Sequence, residues 1–170
     1  MTGIRSISIS RDKEMTLLEI SKLLKDSGQT ISTAESCTGG MISHLITTVP
    51  GSSSYYVGSV VSYFPRVKVK LLKVKQKDID KYGIVSSRVA EEMSEGVRNL
   101  LGTTWSIGIT GWADKTGDEF EPAGTAWVSV SGPDGTYSKR LESHLSRKRN
   151  IESFANQALD FFASIFAESE

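Results

Sequence analysis

The chain has 170 residues, in which 20 lysines and arginines balance 20 aspartates and glutamates, and 38% of residues are apolar. That is the size of one domain with enough apolar material for a core, so wholesale disorder is excluded. Zero net charge lacks the basic surplus of a nucleic-acid binder, and no apolar run approaches the roughly 18–20 residues of a membrane span. A single cysteine, Cys37, excludes an intrachain disulfide and any multi-cysteine zinc site. His44 and His144 lie too far apart in sequence to suggest a histidine metal centre, so neither metal nor cofactor is expected. The opening MTGIRSISISRDKEM has no apolar signal core, which points to a cytoplasmic protein.

Residues 1–14 read as a loose lead-in, and 15–170 as one α/β domain. From Met15, Leu17, Leu18, Ile20, Leu23 and Leu24 recur at helical spacing up to Gly28. Thr30 to Ala34 is a short strand. Met41, Ile42, Leu45, Ile46 and Val49 make a second amphipathic helix, stopped by Pro50-Gly51. Val57 to Tyr63 is a β-branched strand, and the basic stretch Arg66 to Lys77 reads as one short solvated helix. Ser86 caps a helix carrying Val89, Met93, Val97 and Leu100 as far as Gly102. Trp105 to Thr110 is a buried strand, followed by a polar loop from Gly111 to Gly124. Thr125 to Ser131 pairs with Tyr137 to Leu141 across the turn Gly132-Pro133-Asp134-Gly135. The last helix presents Ile151, Phe154, Ala158, Leu159, Phe162 and Phe166.

Helices between strands predict a three-layer α/β/α sandwich, and the late hairpin makes its sheet mixed, though mostly parallel. Ligands of such sheets bind beyond the strand ends, which selects three loops: Ala34–Gly40, Tyr63–Lys68 and Thr110–Gly124. In the first, Ser36 precedes Thr38, Gly39 and Gly40 at a helix start, whose amides could hold an oxyanion or a phosphate. The competing reading is plain helix capping by Ser36 or Thr38. Cys37 has no evident base nearby and reads as a small buried side chain. In the second loop, a desolvated Lys68 could deprotonate a serine, with Tyr63 relaying the proton or holding the lysine. Against this, Lys68 lies among Lys70, Lys73, Lys75 and Lys77, a run expected to be a solvated face.

Three segments in order, TAESCTGG, PGSSSYYVGSVVSY and YGIVSSRVAEEMSEGV, resemble the CinA C-terminal domain family. The resemblance runs from about Met15 to Phe166 and implies an α/β/α fold. It implies nicotinamide mononucleotide (NMN) amidohydrolase activity, with Ser36 as nucleophile and Tyr63 and Lys68 as its partners. It also implies substrate binding by Thr38, Gly39, Gly40, Thr110 and an arginine opening the last helix, for which Arg149 is the match. No cofactor is implied. The expected partners are a small-molecule nucleotide and further copies of the chain, with no membrane and no nucleic acid.

The sequence departs from the family pattern at Phe64-Pro65 and across Gly111–Thr125. There Trp112 and the acidic Asp114, Asp118 and Glu119 alter the loop, and Glu121 replaces a lysine. Facing the pocket, Glu121 would repel a phosphate; facing solvent, it would be neutral to binding. The leading reading is an amidohydrolase converting NMN to nicotinate mononucleotide and ammonia. The alternative is a non-catalytic nucleotide-binding or protein-interaction paralogue that kept the fold.

Overall fold

The computed structural model describes residues 16–169, and the lead-in expected over 1–14 lies outside them. Helix α1 (Leu17–Ser27) begins with a capping box: Glu19 N donates to Thr16 Oγ1 at 3.2 Å, and Thr16 N donates to the Glu19 carboxylate at 2.8 Å. Gly28, at φ 67°, ends it in the left-handed conformation. Strand β1 (Ile31–Glu35) is buried along its whole length and leads into α2 (Met41–Thr47). Strand β2 (Tyr56–Val61) follows and lies at the sheet edge.

The basic stretch forms two helices rather than one. Helix α3 (Pro65–Leu72) opens on Pro65, whose fixed φ suits a first helical position. It stops at Lys73, which takes a left-handed φ of 61°, and α4 (Gln76–Tyr82) starts three residues later. The break lets Leu72 and Val74 both reach the core, where each is 1% exposed; an unbroken helix would have turned one of them outward. Helix α5 (Ser87–Leu101) is capped by Ser86, whose hydroxyl accepts from Val89 N. Strands β3 (Trp105–Gly111), β4 (Thr125–Gly132) and β5 (Gly135–Glu142) complete the sheet. Helix α6 (Arg147–Ser169) starts one turn before its apolar pattern does, because its first turn is basic and exposed.

Among the described residues the strands form one sheet in the order β2-β1-β3-β4-β5. The β1–β2 and β1–β3 ladders are parallel, and β3–β4 and β4–β5 are antiparallel, so β4 alone runs against the other strands. One face carries Ile31, Ile107, Ile109 and Val128 against Ile20 and Leu24 of α1, Ile42 and Ile46 of α2, and the phenylalanines of α6. Trp105 meets Phe162 and Phe166 edge-on, at centroid distances of 5.8 and 5.6 Å.

The other face is small and hydroxylic, which lets α5 lie close. Ser94 Oγ is hydrogen-bonded to the hydroxyls of Ser129 and Ser131, and Ser106 Oγ donates to Ser94 O. At Gly108 an added Cβ would stand 2.6 Å from Ser94 N and 2.7 Å from Ala90 O. Gly96 of α5 does the same for α3: a Cβ there would sit 2.0 Å from Leu72 O. Two glycines thus press α5 onto the sheet and α3 onto α5. The carboxyl ends of β1, β2 and β3, the start of β4 and the start of α6 converge at one end of the sheet.

Replacing Gly108 with alanine should force the α5–sheet interface apart. We expect Gly108→Ala to lower stability by about 1–3 kcal/mol, read as a lower urea midpoint, with a smaller midpoint change for alanine at exposed Gly28's neighbour Ser27.

Candidate functional site

The turn after β1 is organised by Glu35. Its carboxylate is fully buried and saturated: Oε1 accepts from Thr38 Oγ1 (2.7 Å) and Ile42 N (2.9 Å), and Oε2 from Ser43 N (2.9 Å) and Ser43 Oγ (2.6 Å). An anion accepting first-turn amides is well placed at a helix start, so Glu35 does for α2 what a bound anion would. The amides of Ile42 and Ser43 are therefore committed to the protein itself. Gly39 N donates to Ser36 O and Met41 N to Thr38 O, which tightens the turn further. Ser36 is held at the opposite side of this turn.

Lys68 lies on α3, not in a loop, one helical turn before Leu72 and on the same buried face. It is 0% exposed, while Lys70, Lys73, Lys75 and Lys77 are in solvent, so the basic run is a solvated face with one member turned inward. Its Nζ lies 2.9 Å from Ser36 Oγ and donates to the Ser62 carbonyl at 2.5 Å. Burial lowers the Lys68 pKa to about 8, because the ammonium loses its hydration and no carboxylate compensates it. The neighbouring Cys37 thiol is pushed the other way, up to about 12, also by burial. It is neutral over the range in which Lys68 titrates, so no thiolate restores the lysine's charge, and Cys37 itself is not an activated nucleophile.

These groups form the floor of a cleft of about 320 Å³. Tyr63 and Pro65, Ile84 and Val85, Thr110 to Asp114, Thr116 and Arg147 complete its lining. That size is at the small end for a site taking a metabolite. Tyr63 is 61% exposed at the rim, and its hydroxyl accepts from Arg147 Nη2 at 3.1 Å. It does not bridge Ser36 and Lys68, which touch directly. Thr110 lines the cleft while its hydroxyl donates to Ile84 O at 2.9 Å.

Four expected positions lie elsewhere. Thr38 is buried behind the turn with its hydroxyl given to Glu35, and Gly39 and Gly40 are not among the lining residues. Arg149 points from the first turn of α6 into solvent; the guanidinium at the cleft belongs to Arg147, two residues earlier. Residues two apart on a helix face different ways, which is why the basic triplet could not be resolved without the helix start. Glu121 faces away from the cleft, accepting from Trp127 Nε1 at 3.0 Å and pairing with Arg140 at 3.0 Å. Its charge is neutralised there and does not oppose a ligand.

Two residues that the sequence did not single out hold the site together. Glu35 is one. The other is Asn150, 3% exposed, whose Nδ2 donates to Ala113 O (2.8 Å) and whose Oδ1 accepts from Leu145 N and Ser143 Oγ (both 2.8 Å). It locks the third loop to the start of α6. A lone asparagine after three basic residues offers no sequence signal for this; a glutamate ending an otherwise uncharged strand does.

Fold and cleft together define an α/β domain with a buried serine–lysine pair at the carboxyl end of a mixed sheet. The chain belongs to the CinA C-terminal domain family, whose profile matches residues 13–166. It is 47% identical over 128 residues to a CinA-like protein of Acaryochloris marina, covering 75% of this chain and 30% of that protein. A CinA-like protein of Synechococcus elongatus is 43% identical over 152 residues, covering 88% and 36%. The chain thus spans about a third of the length of these curated relatives. Among solved structures, competence damage-inducible protein A (ComA) from Klebsiella pneumoniae superposes with a TM-score of 0.87 at 26% identity, over 91% of this chain and 96% of that one. A CinA superfamily protein from Escherichia coli gives 0.82 at 25%, over 93% and 99%. Among the described residues no helix is long and apolar enough to cross a membrane.

The Lys68 environment sets a pH dependence of stability. Unfolded, the amine titrates near 10.5; folded, near 8. Between those values the unfolded chain binds the extra proton, so stability from this group rises with pH across the window. Lys68→Met should remove that rise and stabilise the protein by about 3 kcal/mol at pH 7, measured as the wild-type–variant difference in denaturant unfolding at pH 7 and 10. Glu35→Gln should do the reverse. An amide donor facing Ser43 or Ile42 leaves a buried clash, and we expect a loss of about 3 kcal/mol at pH 7 in the same assay.

Proposed function

We propose that this chain is a serine–lysine amidohydrolase acting on the carboxamide of a pyridine nucleotide, with NMN converted to nicotinate mononucleotide and ammonia. The observation that carries the reading is the Lys68 amine, out of water and 2.9 Å from the Ser36 hydroxyl at the floor of an open cleft. A structural lysine would be paired with a carboxylate or reach solvent; this one faces a hydroxyl and a carbonyl.

In the proposed cycle neutral Lys68 takes the Ser36 proton as Oγ bonds to the amide carbon. The C–N bond then breaks, Lys68 returns its proton to the leaving nitrogen, and ammonia departs. Water, deprotonated by the same amine, attacks the acyl-serine; the C–Oγ bond breaks and Ser36 regains its proton. Ser62 O orients the amine by accepting one of its hydrogens, leaving the lone pair toward Ser36. Because the first amides of α2 serve Glu35, oxyanion stabilisation falls to the turn around Ser36 rather than to the helix start. Tyr63 and Arg147 act at the rim as substrate-holding groups, and Thr110 contributes to the cleft lining.

Ammonia release from NMN by purified protein tests the reading directly. Ser36→Ala and Lys68→Met should each abolish it while leaving a folded protein. In wild type kcat/KM should rise with pH and level off above about 8, since the base must be unprotonated. Equal turnover by wild type and Ser36→Ala would exclude the serine mechanism, and no turnover by any of the proteins would favour a non-catalytic paralogue.

A further inference from the structure

Of the three tryptophans in the chain, two are accounted for by packing and hydrogen bonding. Trp105 meets Phe162 and Phe166 edge-on and donates its indole N–H to Gln29 Oε1; Trp127 donates its own to the Glu121 carboxylate at 3.0 Å. Trp112 differs. It lines the cleft that holds Ser36 and Lys68, and its Nε1 is out of solvent with no hydrogen-bond partner. A buried indole N–H left unpaired costs free energy, so stability alone does not account for an indole at this position. The backbone there is anchored at two points: Trp112 N donates to Thr125 O, and its carbonyl accepts from Gly124 N, both at 2.8 Å. The residue nevertheless stays partly exposed. With the ring nitrogen buried and both backbone polar groups bonded, what Trp112 offers the cleft is carbon surface on a fixed support.

The amide cleaved in the proposed reaction is carried by a pyridinium ring with a permanent positive charge. Among the described lining residues, the cations Lys68 and Arg147 stand against one carboxylate, Asp114. A further carboxylate beside the ring would attract it, but would also favour the Lys68 ammonium and withdraw the base. An indole face attracts a cation through its quadrupole and carries no net charge, so it meets the ring without that penalty. Tyr63, the other aromatic side chain among the described lining residues, has its hydroxyl engaged by Arg147. We propose that Trp112 is a specificity-determining residue that stacks on the N-substituted pyridinium ring of the substrate and selects it over an uncharged ring of the same shape. The proposal rests on the amidohydrolase reading and names the substrate group that this cleft recognises.

The test compares NMN with its reduced form, whose dihydropyridine ring keeps the carboxamide, ribose and phosphate but has no ring charge. Both are titrated calorimetrically into Ser36→Ala protein, which separates binding from chemistry, with Trp112 intact, with Trp112→Phe and with Trp112→Leu. With Trp112 intact, NMN should bind about tenfold more tightly than the reduced form. Trp112→Leu should bring the two affinities to within about twofold, and Trp112→Phe should fall between. NMN should also raise a long-wavelength absorption shoulder from indole-to-pyridinium charge transfer, lost in Trp112→Phe; a merely structural tryptophan gives none. The ratio and the shoulder in Trp112-intact protein stand as tests even where a variant fails to fold. Equal affinities with Trp112 intact, a ratio unmoved by Trp112→Leu, absence of the shoulder, or its survival in Trp112→Phe would overturn the inference. Ammonia release from NMN by the Ser36 protein is measured in parallel. Release with equal affinities and no shoulder overturns the ring recognition alone; the shoulder and the ratio without release overturn the hydrolase reading alone.

Discussion

A lysine amine held out of water without a carboxylate partner is the constraint around which this domain is arranged. Removing the hydration of an ammonium costs several kcal/mol, and the surrounding packing has to supply it. It does so through α3, which lies so close to α5 that Gly96 has no room for a side chain beside Leu72 O. With Leu72 anchored there, Lys68 one turn earlier faces inward over the end of β1. The same close packing recurs one layer down, where Gly108 and a set of serine hydroxyls let α5 sit on the sheet. The amine therefore emerges beneath the turn after β1, in contact with Ser36, and has only a hydroxyl and a carbonyl to bond.

The other half of the pair is set by electrostatics rather than packing. Glu35 is as deeply buried as Lys68, but the two charges are not paired with each other. The carboxylate is absorbed by the donors of α2, Thr38 and Ser43, so it stabilises the helix start and leaves the lysine without a counter-ion. That separation keeps a pKa near 8 within reach of neutral-pH chemistry. It also uses a helix terminus that would otherwise attract a ligand's anionic group. At the rim of the cleft the Arg147 guanidinium lies between the Tyr63 hydroxyl and the Asp114 carboxylate.

The rim is where this chain differs most from the pattern its family resemblance suggests. The segment from Trp112 to Gly124 is closed at its base, with Trp112 N donating to Thr125 O and Gly124 N to Trp112 O. It is braced further out by Asp118, whose carboxylate accepts from Phe120 N and Glu121 N. Its four acidic residues are thereby sorted: Asp118 into a turn, Glu119 into solvent, Glu121 onto Arg140, and Asp114 alone toward the cleft. A loop of the same net charge with a different internal bonding pattern would present a different site.

The sequence by itself determined the elements with strong periodicity or strong punctuation. The apolar faces of α1, α5 and α6, the β-branched run of β2 and the hairpin at Pro133-Asp134 could be read directly, because helical and strand periods and turn residues are local properties. Ser36, Tyr63, Lys68 and Thr110 were legible through motif resemblance, and all four line the cleft. What only the tertiary structure decided were the facts that depend on which way a side chain turns. Lys68 is buried while its basic neighbours are not, because α3 breaks at Lys73 and packs through Leu72. Arg147 rather than Arg149 lines the cleft, because α6 begins a full turn before its apolar stripe. Glu121 turns away from the cleft toward Arg140 on an adjacent strand. Each of these is set by contacts between residues far apart in the chain, and no local pattern of residue types carries that information.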